Sequence, residues 1–410
     1  MSGILSGQEI VERALAISRA HGCIVLVNDR TEANLRWANN SLTTNGAMRS
    51  RHVTVISVVD DAVGSVGRSV STVDDLAMLV SASERAAREA SPAEDVTPLV
   101  EPGDPASDWE EPPAETSIEV FSAVAPALGE AFGQAAAADR LLFGFAEHIM
   151  TTTFLGTSTG LRLRYDQPTG RVELNGKTGD RGRSVWAGVG TRDFSDVDIA
   201  AMVQQVSGKL DWGARQVELP AGRYETLLPP TAVADLMVYL YFISERREAD
   251  QGRTVFSKRG GGTRIGEKIA SHPVNLRSDP REPGLETAPF LATETSGQGT
   301  SVFDNGMPTG RIDWIRDGEL RNLVTPRWWA AKSEAEPTAF VENLVLADPA
   351  GGRSTEEMVA ATEHGLLLTT LWYIREVDPQ TLLLTGLTRD GVFQIEDGEV
   401  TGAVNNYRFN

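Results

Sequence analysis

The sequence predicts an α+β protein, with a two-part N-terminal region of helices on antiparallel sheets followed by a strand-rich, barrel-like antiparallel C-terminal domain. Three observations carry this expectation. Helix-start signals followed by strand patterns occur twice before residue 217, a proline-rich acidic stretch separates the two occurrences, and hairpin dipeptides crowd the chain beyond residue 220. At 410 residues and 41% apolar composition the chain can fill roughly two or three cores. The predicted parts are an α/β unit at 1–90, a linker at 91–117, a second α/β unit at 118–217 and the C-terminal domain at 218–410.

Ser6 and Glu9 form a capping-box pattern that opens the first helix, with Ile10, Val11, Ala14, Leu15 and Ile17 along one side. Strands are expected at 23–28, 33–38 and 53–58, with Asn45-Gly46 as a hairpin turn. Thr72 and Asp75 then cap a helix running to about Ala90. From Ser91 to Ser117 prolines and acids dominate, which predicts a solvated linker or strap rather than a domain. A helix near 117–138 leads into a meander, in which Arg171–Lys177 alternates and Asn175-Gly176 reads as another hairpin turn. Ser195-x-x-Asp198 opens a helix to about Ser207. In the C-terminal part, Asp304-Asn305-Gly306, Asp317-Gly318, Asp390-Gly391 and Asp397-Gly398 are hairpin signals, and Ser354 with Glu357 caps a helix expected to end at His364-Gly365.

Acidic residues outnumber basic ones for a net charge of −19, and the stretch from Ser91 to Asp139 holds 11 acids and no base, so over half of that excess lies there. Such a field repels phosphate backbones and anionic membranes, which argues against nucleic acid and membrane as direct partners. No run approaches the length of a membrane span, and Met1–Leu5 lacks the features of a secretory leader, so a cytoplasmic protein is expected. Cys23 is the only cysteine and sits in an apolar run, which reads as a buried strand position.

Several ordered segments carry a family resemblance. They are Leu219–Tyr224 with Leu227–Pro230, Arg264–Ile269 with Ser278–Pro280, Ser301–Thr309, and Leu384-Thr385-Gly386 with Gly391–Glu399. In this order they resemble the TldD/PmbA family. The resemblance implies a helix at 231–243 where catalytic members carry His-Glu-x-x-x-His, two histidines one turn apart that grip a metal beside a glutamate acting on water. This helix has no histidine. Aligned on Glu248-x-Asp250, the ligand positions fall near Leu240, Tyr241 and Glu245, and the further cysteine ligand usual in the catalytic branch has no C-terminal counterpart. The chain therefore resembles the PmbA, or TldE, branch. That implies no catalytic, cofactor or metal residue in this chain, and a TldD-like catalytic subunit as partner, holding the metal, expected to be zinc, in a cytoplasmic peptidase acting on unfolded peptides.

Other chemistry is weaker. The five histidines, His21, His52, His148, His272 and His364, lie at least 31 residues apart, which excludes a local zinc helix. Lys258–Arg264 is a glycine turn without phosphate-loop order. Arg246, Arg247 and Glu248 suit either surface ion pairs or contact with a partner subunit. Trp328-Trp329 and Trp372-Tyr373 fit cores and interfaces alike. An antiparallel domain can also accept a peptide as an extra edge strand with little sequence preference. The alternatives to an accessory subunit are a stand-alone peptide- or protein-binding homodimer and a hydrolase with an unrecognised site; a hetero- or homo-oligomer is expected.

Overall fold

The computed structural model describes residues 5–70, 72–103, 106–297 and 299–410. The leader reading, which rests largely on Met1–Ile4, and Pro105 of the proline-rich stretch lie outside the described residues. The N-terminal region is built twice from the same plan. Its first half runs α1 (Gly7–Ile17), β1 (Gly22–Ala38), β2 (Ser41–Val59), β3 (Ala62–Arg68) and α2 (Val73–Glu89). Its second half runs α3 (Val124–Ala137), β4 (Arg140–Thr157), β5 (Arg162–Thr178), β6 (Ser184–Thr191) and α4 (Ile199–Trp212). β1 pairs antiparallel with β4, so the two meanders fuse into one six-stranded sheet of order β3-β2-β1-β4-β5-β6.

Alternation along β1 explains the core. Cys23, Val25 and Val27 pack with α1 and α2, and Ala33, Leu35 and Trp37 with α3 and α4, while Ile24 and Leu26 face the C-terminal residues Phe290, Val302 and Phe303. The expected capping boxes are present at Ser6–Glu9 and Thr72–Asp75. The expected break between 28 and 33 is absent. Asp29 pairs with Arg51 of β2 and Thr31 accepts the Thr116 N–H of the proline-rich stretch, so the strand continues.

Both Asn-Gly turns are corrected. The β1–β2 turn is at Asn39-Asn40, with φ of 51° and 58°, and Asn45-Gly46 lies within β2 opposite Leu35 and Asn34. That end of β2 projects into solvent, where a polar pair in a strand is tolerated. Asn175-Gly176 lies within β5, because a Cβ at Gly176 would stand 2.1 Å from Val206 Cγ1 of α4, so the glycine serves close helix packing rather than a turn. Gly64 in β3 is tighter still, since a Cβ there would lie 2.2 Å from Ser83 O and 2.3 Å from Ala87 N, both main-chain atoms of α2. We predict that Gly64→Ala loses about 3 kcal/mol by forcing α2 off the sheet. A urea-unfolding midpoint unchanged from the parent would refute it.

The C-terminal part comprises β7 (Gln216–Val217), β8 (Thr226–Leu227), α5 (Pro230–Phe242), α6 (Arg246–Asp250), β9 (Asn275–Ser278), β10 (Ile312–Arg316), β11 (Glu319–Leu320), α7 (Arg327–Ser333), β12 (Val345–Ala347), α8 (Thr355–Ala360), β13 (His364–Leu368), β14 (Leu371–Asp378), β15 (Leu383–Thr388), β16 (Val392–Glu396), β17 (Glu399–Val404) and β18 (Arg408–Phe409). They form three open sheets, β11-β10-β9-β12, β7-β17-β16-β13-β8 and β14-β15-β18. Asp317-Gly318 and Asp397-Gly398 make the expected hairpin turns. Asp390-Gly391 instead joins strands of different sheets, and Asp304-Asn305-Gly306 begins in the last residue of the 3₁₀ turn Val302–Asp304.

Two helix boundaries also move. Asp198, not Ser195, caps α4, accepting the Ala201 N–H at 2.9 Å. α8 stops at Ala360, where the Thr362 hydroxyl donates to Met358 O, and His364-Gly365 pairs with Glu396 and Ile395 as the start of β13. The proline-rich stretch is docked rather than solvated. Trp109 is buried edge-on against Phe154, Arg164 donates to Asp108 and to Pro112 O, and Asp95 accepts the Ser296 and Ser301 hydroxyls at 2.6 and 2.7 Å. It straps the N-terminal sheet to the C-terminal part.

Candidate functional site: the metal-helix position and its cleft

Pro230 opens α5, its missing N–H costing nothing in a first turn, and the following run is apolar on nearly every side. Leu240 packs against a core containing Tyr241, Leu276 and Trp314. Tyr241 is 4% exposed, and its hydroxyl both donates to Val341 O and accepts the Val341 N–H, each at 2.9 Å. Its ring stacks on Phe340 at 4.8 Å and tilts against Trp314 at 5.1 Å. Burial pushes the phenol well above its ordinary range. The tyrosine is a core residue held at both its ring and its tip.

Past the end of α5 the chain is pinned to Val324, whose N–H donates to Ser244 O and whose carbonyl accepts the Arg246 N–H. This sets Glu245 at the mouth of a cleft of about 400 Å³, with Tyr241, Phe242, Thr293, Thr300 and Phe340. Among the described residues its carboxylate makes neither hydrogen bond nor ion pair. Burial raises its affinity for a proton, Glu248 adds to the effect, and Arg247 and Arg253 oppose it.

The rest of the acidic and basic segment is engaged internally. Arg246 lies 3.5 Å from Asp250, whose carboxylate also accepts Trp329 Nε1. Arg247 pairs with Glu94 of the strap at 2.7 Å and covers Trp328 and Trp329, and Glu248 pairs with Arg253 at 3.0 Å. Trp329 is buried, whereas Trp372 and Tyr373 are exposed.

A metal centre does not fit these positions. Leu240 offers no donor, the Tyr241 hydroxyl is committed to the main chain, and Glu245 is a single ligand where zinc takes three or four. Among the described residues no three of histidine, cysteine, aspartate and glutamate stand together as a ligand set. His148 is a satisfied structural histidine between the Thr116 hydroxyl and Arg192 O. His364 lies on a strand rather than at a helix end. Cys23 is buried in β1, its thiol pushed up to about 11 by burial. The Lys258–Arg264 loop closes through Lys258 N–H to Gly262 O, and its lysine pairs with Glu267 at 2.9 Å.

The sequence names Glu245 only as a degenerate ligand position, and it carries no sign of the residue's surroundings. The facing cleft wall comes from Thr293, Thr295, Ser296, Gly297, Thr300, Val324 and Phe340, distant in sequence and without a local motif. A more open depression of about 580 Å³ lies at Met307–Asp313, where Asp313 pairs with Arg311 and Arg316, and Arg321 with Glu319. Its charges are neutralised in pairs, unlike Glu245.

Two family models define the class of this chain as a member of a metallopeptidase family. Residues 23–87 match the model of PmbA/TldA metallopeptidase domain 1, and residues 221–410 match that of the PmbA/TldA metallopeptidase C-terminal domain. The chain belongs to the TldD/PmbA family. Its fold is similar to that of TldE from Thermococcus kodakarensis, with a TM-score of 0.79 and 18% identity over 97% of this chain and 89% of that one. It is also similar to two provisionally assigned modulators of DNA gyrase. The one from Thermotoga maritima has a TM-score of 0.77 and 17% identity, covering 98% of this chain and 92% of that one. The one from Bacteroides thetaiotaomicron has a TM-score of 0.74 and 16% identity, covering 98% and 90%. No curated protein matches the chain. No helix among the described residues is long and apolar enough to cross a membrane.

Proposed function

We propose that this chain is the metal-free, non-catalytic subunit of a TldD/TldE-type heteromeric metallopeptidase that acts on unfolded peptides in the cytoplasm. A TldD-like partner holds the metal, expected to be zinc, and this chain contributes wall and channel to the shared chamber. The observation that carries this reading is the filling of the ligand positions by Leu240, by Tyr241 bound at both ends, and by an isolated Glu245. Exposed apolar residues support a partner. Phe242 of α5 is 61% exposed and Tyr373 of β14 is 62% exposed, next to Trp372 and Val377, and Tyr239 ties the two elements together by donating to Ile374 O. Arg246, Arg247 and Glu248 remain candidates for the rim of that contact, half-exposed beside the strap.

The test is purification of the tagged chain from its native host, with mass spectrometry and metal analysis of the eluate. A stoichiometric relative bearing His-Glu-x-x-x-His, with metal following that relative, is the expected result. A metal-free homo-oligomer without such a relative would overturn it in favour of a stand-alone binding protein, and metal on this chain alone would point to an unrecognised hydrolytic site.

A further inference from the structure

The cleft at Glu245 does not end there. A second cleft of about 370 Å³ shares Thr293, Thr300 and Phe340 with it and continues over the N-terminal sheet at Leu26 and Tyr165. Glu294 and Glu342 line this continuation, and no lysine, arginine or histidine lines either cleft among the described residues. Among the described residues, the basic side chain that reaches these two glutamates is His52, 3.9 Å from Glu294 and a cation only when protonated. A groove with acids along it and no internal cation has the potential of a cation site, in a chain whose net charge of −19 adds to the field. Phe340 and the exposed Phe242 present aromatic surface beside Glu245, which suits an ammonium or guanidinium group with its methylene stem.

We propose that this groove binds an extended peptide through a basic group, a lysine or arginine side chain or a free amino terminus, with Glu245 as its counter-ion. Glu245 thereby becomes a specificity residue for ligand rather than a remnant of metal chemistry. The inference rests on the peptide-binding part of the proposed function and is independent of whether a metal-bearing partner exists.

The purified full-length chain is titrated calorimetrically with three unstructured hexapeptides of otherwise identical sequence. One is blocked at both ends with a central lysine, one is blocked with norleucine in its place, and one carries norleucine and a free amino terminus. At least one charged peptide is expected to bind about tenfold more tightly than the blocked norleucine peptide, the scale of one charge-assisted hydrogen bond, and whichever does so identifies the source of the cation. Glu245→Gln, which keeps shape and removes charge, is expected to erase that preference. Equal binding of all three peptides, or a preference that survives Glu245→Gln, would overturn the inference and leave peptide binding intact. Absence of binding by all three would overturn both.

Discussion

Replacing Arg327 by methionine is expected to remove about 3 kcal/mol of stability at neutral pH, because it leaves a buried carboxylate without its cation. Asp304 is 1% exposed and accepts Arg327 Nε at 2.7 Å as well as the Arg327 N–H at 3.1 Å. The same guanidinium donates to Pro98 O of the strap and to Phe303 O, so its loss also loosens the seam between strap and C-terminal part. Burial lifts the Asp304 carboxyl above its ordinary value even with Arg327 present, and nearby Asp95 pushes the same way.

A raised folded-state value means that the native protein holds this proton more tightly than the unfolded chain. The associated stability is fully present below the unfolded carboxylate value of about 3.9 and is lost as pH rises through the folded value. Without Arg327 the folded value climbs further, so the deficit of Arg327→Met should shrink between pH 7 and pH 5. Urea unfolding at the two values measures this. Asp304→Asn on the Arg327→Met background should recover part of the loss at pH 7. A deficit identical at both values would show that packing, not the stranded charge, accounts for the effect.

Local chemistry was legible in the sequence wherever one short segment decides the outcome. The capping boxes at Ser6, Thr72 and Ser354 form as read, because each needs only a hydroxyl and an acid three residues apart. Repetition of the α–β plan was legible for the same reason. Fusion of the two meanders was not, since pairing of β1 with β4 joins residues over a hundred positions apart. The two Asn-Gly corrections have different causes. Residues 45–46 and 175–176 carry a turn dipeptide, yet a solvent-exposed strand end tolerates the first and close approach of α4 requires the glycine of the second. Likewise the acids between Ser91 and Asp139 read as solvated charge, whereas Asp95 and Asp108 are anchors whose partners, Ser296, Ser301 and Arg164, come from elsewhere in the chain. At the candidate site, the absence of histidine was plain from residues 231–243, but the cleft that isolates Glu245 exists only after folding.

Tyr241→Glu tests whether the α5 position retains any of the character of a site. The substitution returns the residue type expected beside a metal in catalytic relatives, and it should cost about 3–5 kcal/mol, since it places an unpartnered carboxylate between Phe340 and Trp314. Glutamate has no ring to stack and cannot, when ionised, donate to Val341 O. Tyr241→Phe separates the two contributions by keeping the ring while stranding the Val341 N–H and C=O, at a smaller cost of about 1–3 kcal/mol. Thermal and urea unfolding of both variants, with metal content measured, decide the matter. The ordering expected is parent, then Tyr241→Phe, then Tyr241→Glu, with no metal acquired. A Tyr241→Glu protein as stable as the parent, or one that gains metal, would mean that the segment still has the openness of a catalytic pocket. The expected ordering would mean that packing has taken over the helix, so that returning one ligand type cannot restore chemistry while Leu240 and Phe340 hold the space around it.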